Sequence, residues 1–595
     1  MTIKTRINAL RERMNAESID AYIIPSADFH QSEYVGSHFK ARAFITGFTG
    51  SAGTAVITAE KSYLWTDGRY FLQAEQQLAD SGVELCRMGN PGVPTTTEFI
   101  ANTMATGSTL GFDGRVLSVD EGQEYENIMS KKSGTIRYDL DLIDDIWTDR
   151  PVLSTEPAFH LPEKFSGAST ASKLVRVREA MANVNATAHI ITSLDDLCWI
   201  FNFRGNDVKF SPLVLGYAVI YMDNVDLFVD ETKFTDEIKT DLIANNVTCH
   251  PYNDIYNFVK GFTADDTLMI DPSKLNYALY NNLPEASARV EKSNPSILMK
   301  AMKNEVELEN IRAAHIKDGV AVTKYMRWLK QNVGKMTITE MSASDHLEAL
   351  RAEQEGFLWP SFAPICAYKD HAAIVHYESE PETNVELKPE GLFLNDTGGN
   401  YMEGTTDITR TIALGALTKE EILHFTTVLK SMFALARVKF VYGVCGYNLD
   451  AFARQPFWDM GLDYNHGTGH GVGYLLNVHE GPAGFRWRIR PTEATPLSEG
   501  MVLSDEPGLY IAGSHGIRTE NELVVRKGEA NEYGQFMYFE HLTFVPIDLD
   551  AIDPTLLSEL DKATLNEYHA QVWEKISPYL DTEEQAWLKE YTRAI

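Results

Sequence analysis

The chain repeats itself at long range. IIPSAD at 23–28 returns as IITSLD at 190–195, an offset of 167, and LWTDGRYF at 64–71 returns as LFVDETKF at 227–234, an offset of 163. Both pairs fall in the same order, an apolar strand into a turn and then a β-rich run into a helix. Two ordered matches at nearly constant offset imply a duplicated α/β domain. The period is too long for a solenoid, whose units run to roughly 20–50 residues. Residues 3–17 read as an amphipathic helix, 54–67 as a hairpin around a polar turn, and GRYFLQAEQQL as a helix. The first unit ends near the Pro-flanked 147–167 stretch, which sets expected domains at 1–155 and 156–300.

A third unit is expected over 301–595. Asn304 and Glu307 have capping-box spacing, and Leu308, Ile311, Val322, Met326 and Leu329 follow a helical period. From about residue 390 the chain turns β-rich and loop-rich, and its tail, 559–595, reads as helical. A chain of 595 residues buries ample core without disulfide or metal staples.

Charge and cysteine usage narrow the partners. There are 84 acidic and 53 basic side chains, a net charge of −31, which argues against nucleic acid or an anionic membrane. Five widely spaced cysteines without a CxxC fit a reducing compartment and no thiolate zinc site. The first 25 residues lack an apolar signal core, and the most apolar stretch, 212–222, is too short to span a bilayer. The expectation is a cytoplasmic protein without membrane or nucleic-acid partners.

Nucleotide and serine-hydrolase patterns fail. The glycines of HGTGHGVG (466–473) are out of phase for GxGxxG, TGSAG (49–53) has Thr49 at the first Gly of a serine elbow, and HEGPA (479–483) lacks a second zincin His. A set of acids and histidines remains. Asp396 ends an apolar strand, and Asp407 begins another after a turn-rich segment. A hairpin would bring the two carboxylates together, where a proton or a cation must relieve their repulsion. Glu506 and Glu520 repeat the arrangement on a second expected hairpin, and His470 lies between the two hairpins in a Gly-rich loop. Four carboxylates and one imidazole form a hard, oxygen-rich donor set suited to two divalent ions.

DTGGNYMEGTTDITRT, HGTGHGVG, NVHEGP, DEPGLY and GIRTEN, in this order, resemble the pita-bread metallopeptidases. SADFHQSEY, FITGFTGSAGTAVIT, WTDGRYFLQA and FNFRGNDV extend the likeness to the three-domain Xaa-Pro aminopeptidases over essentially the whole chain. The resemblance implies an α+β protein, with a C-terminal pita-bread catalytic domain after two creatinase N-terminal-like α/β domains. It implies release of the first residue from peptides with proline second, by a hydroxide between two divalent ions, Mn²⁺ foremost and Zn²⁺ or Co²⁺ as alternatives. Asp396 would hold one ion, His470 and Glu506 the other, and Asp407 and Glu520 both. His376, His466 and His479 would surround the substrate and assist proton transfer, with Glu520 a candidate shuttle to the proline nitrogen. Arg518 is expected to pair with a ligand carboxylate and to face the substrate. A homodimer through the catalytic domain is implied as well.

Two residues depart from the family pattern, Asn395 before the first Asp and Thr519 before the last Glu; neither replaces a ligand. Tyr510 reads equally as pocket wall or core, His315 as a packed or exposed helix residue, and Arg69 as an ion-pair residue or a substrate contact. A prolidase-type dipeptidase, whose relatives carry one N-terminal domain, and a metal-free peptide-binding module are the alternative functions. The intact ligand set stands against the module.

Overall fold

The repeat in the sequence is a repeat of topology. In the computed structural model, which describes residues 1–595 except for the side chain of Pro491, two six-stranded sheets share one strand order. The first runs Glu84–Arg87, Ser62–Thr66, Thr54–Thr58, Ala21–Pro25, Thr109–Phe112, Thr135–Arg137. The second runs Val247–His250, Val225–Val229, Gly216–Tyr221, Ala188–Ile191, Thr267–Ile270, Ala288–Glu291. Antiparallel and parallel pairings coincide at each step. The two recurring motifs fall on equivalent strands. The helix Ile3–Ala16 buries Ile7, Leu10 and Met14 at helical spacing against the first sheet, joining Ile24, Ile57 and Leu64 in one core.

By contact the chain forms two compact units, Met1–Leu161 with Ala168–Ser296, and Pro162–Gly167 with Ile297–Ile595. Within the first unit the two sheet domains are tied by buried polar groups. His30 Nδ1 meets the Thr192 carbonyl at 2.8 Å and its Nε2 meets the Tyr252 hydroxyl at 2.7 Å. Arg69 forms a two-pronged ion pair with Asp67, at 2.9 and 2.7 Å.

The second unit is built on sheets backed by helices. The helix Glu305–Asn332 starts at the reciprocal cap between Asn304 and Glu307. It buries Val322, Tyr325, Met326 and Leu329 with Leu347 against Phe393, Ile408 and Ile412 of the strands Leu392–Thr397 and Ile408–Ala413. Another core cluster places Leu435, Leu449 and Ala453, from the helices Lys419–Ala436 and Gly446–Trp458, under Leu503, Leu523, Val525 and Phe539. Each fully buried Leu, Ile, Val, Met or Phe among them contributes roughly 1.5–3 kcal/mol. Those sheet residues belong to a six-stranded sheet ordered Phe440–Val441, Gly534–His541, Asn521–Asn531, Val502–Asp505, Gly469–Gly471, Glu480–Phe485. All five cysteines are free thiols. No helix among the described residues is long and apolar enough to cross a membrane.

Candidate metal centre

The first pair of acids stands on one hairpin. Asp396 is opposite Thr409 across the ladder, and Asp407 lies two residues before Thr409. Residues two apart in an extended strand share a face, so Asp407 is a diagonal neighbour of Asp396. Glu506 and Glu520 differ from the expected arrangement. They are not on the strands of one simple hairpin but in a gap between two ladders. One ladder ends with Asp505 opposite Asn521, and the next begins with Gly508 opposite Arg518. Both ladders keep the same register, which sets Glu506 opposite Glu520 where strand pairing is interrupted. Thr409 joins the two pairs: its backbone carbonyl accepts from the Glu520 N–H at 3.1 Å, and its hydroxyl donates to Glu520 Oε2 at 2.6 Å.

His470 enters on the short strand Gly469–Gly471. A side chain at Gly469 would meet the Ser504 carbonyl at 1.9 Å, and one at Gly471 the Glu480 carbonyl at 2.1 Å, so only glycine lets this strand lie so close to its neighbours. The His470 Nδ1 faces the Gly471 carbonyl at 2.9 Å. A carbonyl only accepts, so Nδ1 carries the hydrogen, and Nε2 points at Asp407 Oδ2 and Glu506 Oε1, both at 3.4 Å. One donor atom from each of Asp407, His470 and Glu520 lies within 4.8 Å of the others.

The electrostatics are those of a crowded anionic pocket. Burial pushes the Asp407 carboxyl well above the usual carboxylate range, and the charges of Asp396, Glu506 and Glu522 push it further. Glu520 is raised for the same reasons, first burial and then Asp407, Asp396 and Glu506. Asp396 Oδ1 is buried without a hydrogen-bond partner. The acids and the imidazole converge on one pocket, and this donor set fits hard or borderline divalent ions.

Arg518 stands at the edge. Its Nε and Nη2 donate to Asp396 Oδ2 at 3.1 and 2.5 Å, and its Nη1 donates to the Tyr510 hydroxyl at 2.6 Å. His466 Nδ1 donates to the Gly467 carbonyl at 2.7 Å, leaving Nε2 to accept from the Tyr510 hydroxyl at 2.9 Å. Burial, with Arg518 next in effect, pushes His466 down to about 3, and burial pushes Tyr510 up to about 12. The bonds therefore run one way, from Arg518 through Tyr510 to His466, and the Tyr510 ring also packs against the hydrophobic core. We expect Arg518→Met to destabilise the chelated catalytic unit by about 3–5 kcal/mol, because it leaves Asp396 buried without its cation. Urea unfolding with and without a divalent ion measures this, and the ion recovers part of the loss.

The remaining expected residues lie close by. His479 packs edge-on against His470, with ring centroids 4.1 Å apart. His376 lies in the turn after the short helix Lys369–Ala373, next to Val375, whose carbonyl accepts from Arg518 at 3.4 Å. The departure at Asn395 is matched by its surroundings: its Oδ1 accepts from the Tyr325 hydroxyl at 2.6 Å. The Thr519 hydroxyl is buried without a partner.

Three groups next to the site escaped the sequence reading. Glu480, beside His479, is buried between Lys303, which donates to it, and Lys300, 3.7 Å away. Glu522 accepts the Asp407 backbone N–H at 2.7 Å. His315, read as an ordinary helix residue, is fully buried 3.2 Å from Glu522. The signal for Glu522 was present, since it lies two residues after Glu520 in a strand and so shares its face.

Creatinase/prolidase N-terminal domain models match residues 6–140 and 149–307, a metallopeptidase family M24 model matches 309–527, and a model of the C-terminal region of that peptidase matches 535–595. Aminopeptidase P2 of Arabidopsis thaliana is 41% identical over 97% of this chain and 86% of its own length. A probable Xaa-Pro aminopeptidase P of Coprinopsis cinerea is 38% identical over 99% and 98%. The crystal structure of the Caenorhabditis elegans X-prolyl aminopeptidase, described as a cytosolic enzyme with a di-nuclear active site, superposes with a TM-score of 0.96 at 33% identity, covering both chains fully. A Bacillus anthracis Xaa-Pro dipeptidase shares the fold at 22% identity and a TM-score of 0.51, but it covers only 64% of this chain. The chain belongs to the aminopeptidase P branch of metallopeptidase family M24.

Proposed function

We propose that the pocket formed by Asp396, Asp407, His470, Glu506 and Glu520 is the catalytic centre of a metal-dependent Xaa-Pro aminopeptidase. The observation that carries this is the convergence of donor atoms from Asp407, His470 and Glu520 within 4.8 Å of one another, with His470 Nε2 3.4 Å from both Asp407 and Glu506, a donor set suited to a divalent ion. Asp396 would hold one divalent ion, His470 and Glu506 a second, and Asp407 and Glu520 both. Mn²⁺ is the proposed pair, with Zn²⁺ or Co²⁺ as alternatives. Such ions acidify water and polarise the scissile carbonyl.

The protein's own groups do the rest. His376 donates a hydrogen bond to the oxygen that gains charge as the carbonyl is attacked. Glu520 Oε2 is engaged by Thr409, so Glu520 Oε1, or a water beside it, takes the proton of the attacking hydroxide and delivers it to the proline nitrogen as the C–N bond breaks. That nitrogen carries no hydrogen in the substrate, so it leaves as an amine only after protonation. Arg518 pairs with Asp396 and faces the peptide. His479 and His466 line the bound chain, His466 by giving up its bond from Tyr510. The chain acts in the cytoplasm as a homodimer joined through the catalytic domain; exposed Phe452, Trp458 and Met460 along one helix and its end supply apolar surface for that contact.

The test is a chelator-stripped enzyme restored separately with Mn²⁺, Co²⁺, Zn²⁺ or Mg²⁺. Each preparation is given an Xaa-Pro-Xaa tripeptide, the matching Xaa-Pro dipeptide and a Met-Ala-Xaa peptide. Cleavage of the tripeptide alone is expected, with the highest rate in Mn²⁺. Cleavage of the dipeptide alone would replace the aminopeptidase with a dipeptidase, and no cleavage with any ion would remove the catalytic reading.

A further inference from the structure

We propose that His315 and Glu522 are positioning residues that fix Asp407 for cation binding, a role that rests on Asp407 being a ligand. Glu522 Oε1 accepts the Asp407 backbone N–H at 2.7 Å, which sets the direction in which the Asp407 side chain leaves the strand. Its other oxygen lies 3.2 Å from His315 Nε2, and both side chains are 0% exposed. The Glu522 N–H donates to the Thr543 hydroxyl at 2.8 Å, so its backbone is held as well.

The helix Glu305–Asn332 carries this contact as part of a wider stripe. His315, Asp318 and Tyr325 fall on one helical face. Asp318 accepts from the Thr406 hydroxyl, one residue before Asp407, and from Arg351 at 2.6 Å. Arg351 in turn donates to the Thr397 carbonyl at 3.3 Å, one residue after Asp396. Tyr325 donates to Asn395, one residue before Asp396, at 2.6 Å. This helix thus holds the chain just before Asp396 and just before Asp407, reaches Thr397 only through Arg351 of the helix Glu340–Ala352, and His315–Glu522 supplies the contact to Asp407 itself.

Packing alone does not account for Glu522. Its charge adds to the repulsion on Asp407, and a buried apolar residue of similar volume costs a fold less than an ion pair. What the carboxylate provides is an acceptor for the N–H of a ligand residue, with its second oxygen packed against His315 of the helix at 3.2 Å, a contact without hydrogen-bond geometry. Groups of this kind behind metal ligands typically alter affinity by about 10–100-fold.

The test is Mn²⁺ affinity of the stripped full-length chain, by calorimetry and by the EPR signal of free Mn²⁺, with thermal midpoints as the fold control. Glu522→Ala and His315→Ala are each expected to weaken binding by roughly 10–100-fold. The double variant is expected to be no worse than Glu522→Ala alone, because His315 acts through Glu522. Glu522→Gln keeps an acceptor oxygen for the Asp407 N–H and gains an amide donor for His315, so it is expected to bind within about threefold of wild type. His315→Ala leaves the ligand strands' sequence untouched and carries the test if Glu522→Ala does not fold. Wild-type affinity in both alanine variants overturns the pair's role alone. So does Glu522→Gln as weak as Glu522→Ala, since charge rather than positioning would then be the cause. Absence of Mn²⁺ binding to the wild-type chain overturns the metal-centre reading and this one with it.

Discussion

Asp407→Asn is expected to slow hydrolysis of an Xaa-Pro-Xaa peptide at least about a thousandfold at saturating Mn²⁺ while the chain stays folded. The substitution keeps the shape of the side chain, and Glu522 still accepts the unchanged backbone N–H. What is lost is one anionic oxygen that faces His470 and shares a pocket with Glu520. In the proposed arrangement Asp407 serves both ions, so neither retains its full ligand set, and the loss falls on kcat as well as on metal affinity. Steady-state kinetics against metal concentration measure both. Retention of more than a tenth of wild-type kcat would remove Asp407 from the centre.

The same substitution is expected to stabilise the protein once metal is stripped, and the size of that effect depends on pH. Folding raises the Asp407 carboxyl well above its ordinary value, through burial and then through Asp396, Glu506 and Glu522. The unfolded group titrates at about 4. Above that pH the unfolded chain has released a proton that the native state still holds. Stability therefore falls as pH rises, by about 1.4 kcal/mol per pH unit for one group, until the folded carboxyl also ionises. Glu520 is raised in the same direction and adds to the trend. The stripped wild type should lose thermal midpoint from pH 5 to pH 8, and stripped Asp407→Asn should lose less. A divalent ion reverses the trend in wild type, adding about 4 kcal/mol at a thousand times its dissociation constant. Calorimetric scans across pH, with and without Mn²⁺, read the difference between the two proteins directly. Parallel curves would mean that Asp407 is not crowded by charge in the native state.

Much of the fold could be read in advance because it is written in local pattern. The strands Ala21–Pro25 and Ala188–Ile191 are short apolar runs before turns, so their likeness survives divergence. The cap at Asn304 and Glu307 is a spacing rule and needs no tertiary information. Asp396 and Glu506 stood out as acids that close apolar strands, and His470 as an imidazole in a Gly-rich loop between them. What could not be read depends on chain segments far apart. Lys303 meets Glu480 across 177 positions, and nothing in either neighbourhood marks the pair. Arg518, Tyr510 and His466 are joined by hydrogen bonds whose direction is set by one carbonyl. The pause between two ladders at Glu506 and Glu520 is invisible to alternation, because both ladders keep the same phase.

That shared phase has a consequence for how this segment tolerates change. The ladders on either side of the two glutamates are counted from the same turn, whose tip is Ala512, Gly513 and Ser514. Residues added at the tip leave both arms in step, so a short epitope or fluorophore sequence placed there keeps Glu506 and Glu520 face to face. A single residue removed from one arm between 507 and 511 does the opposite. It advances that arm by one position and turns its alternating side chains to the other surface, which carries Glu506 out of step with its partner although no acid has been altered. The centre is thus robust to length at its apex and brittle to length along its sides.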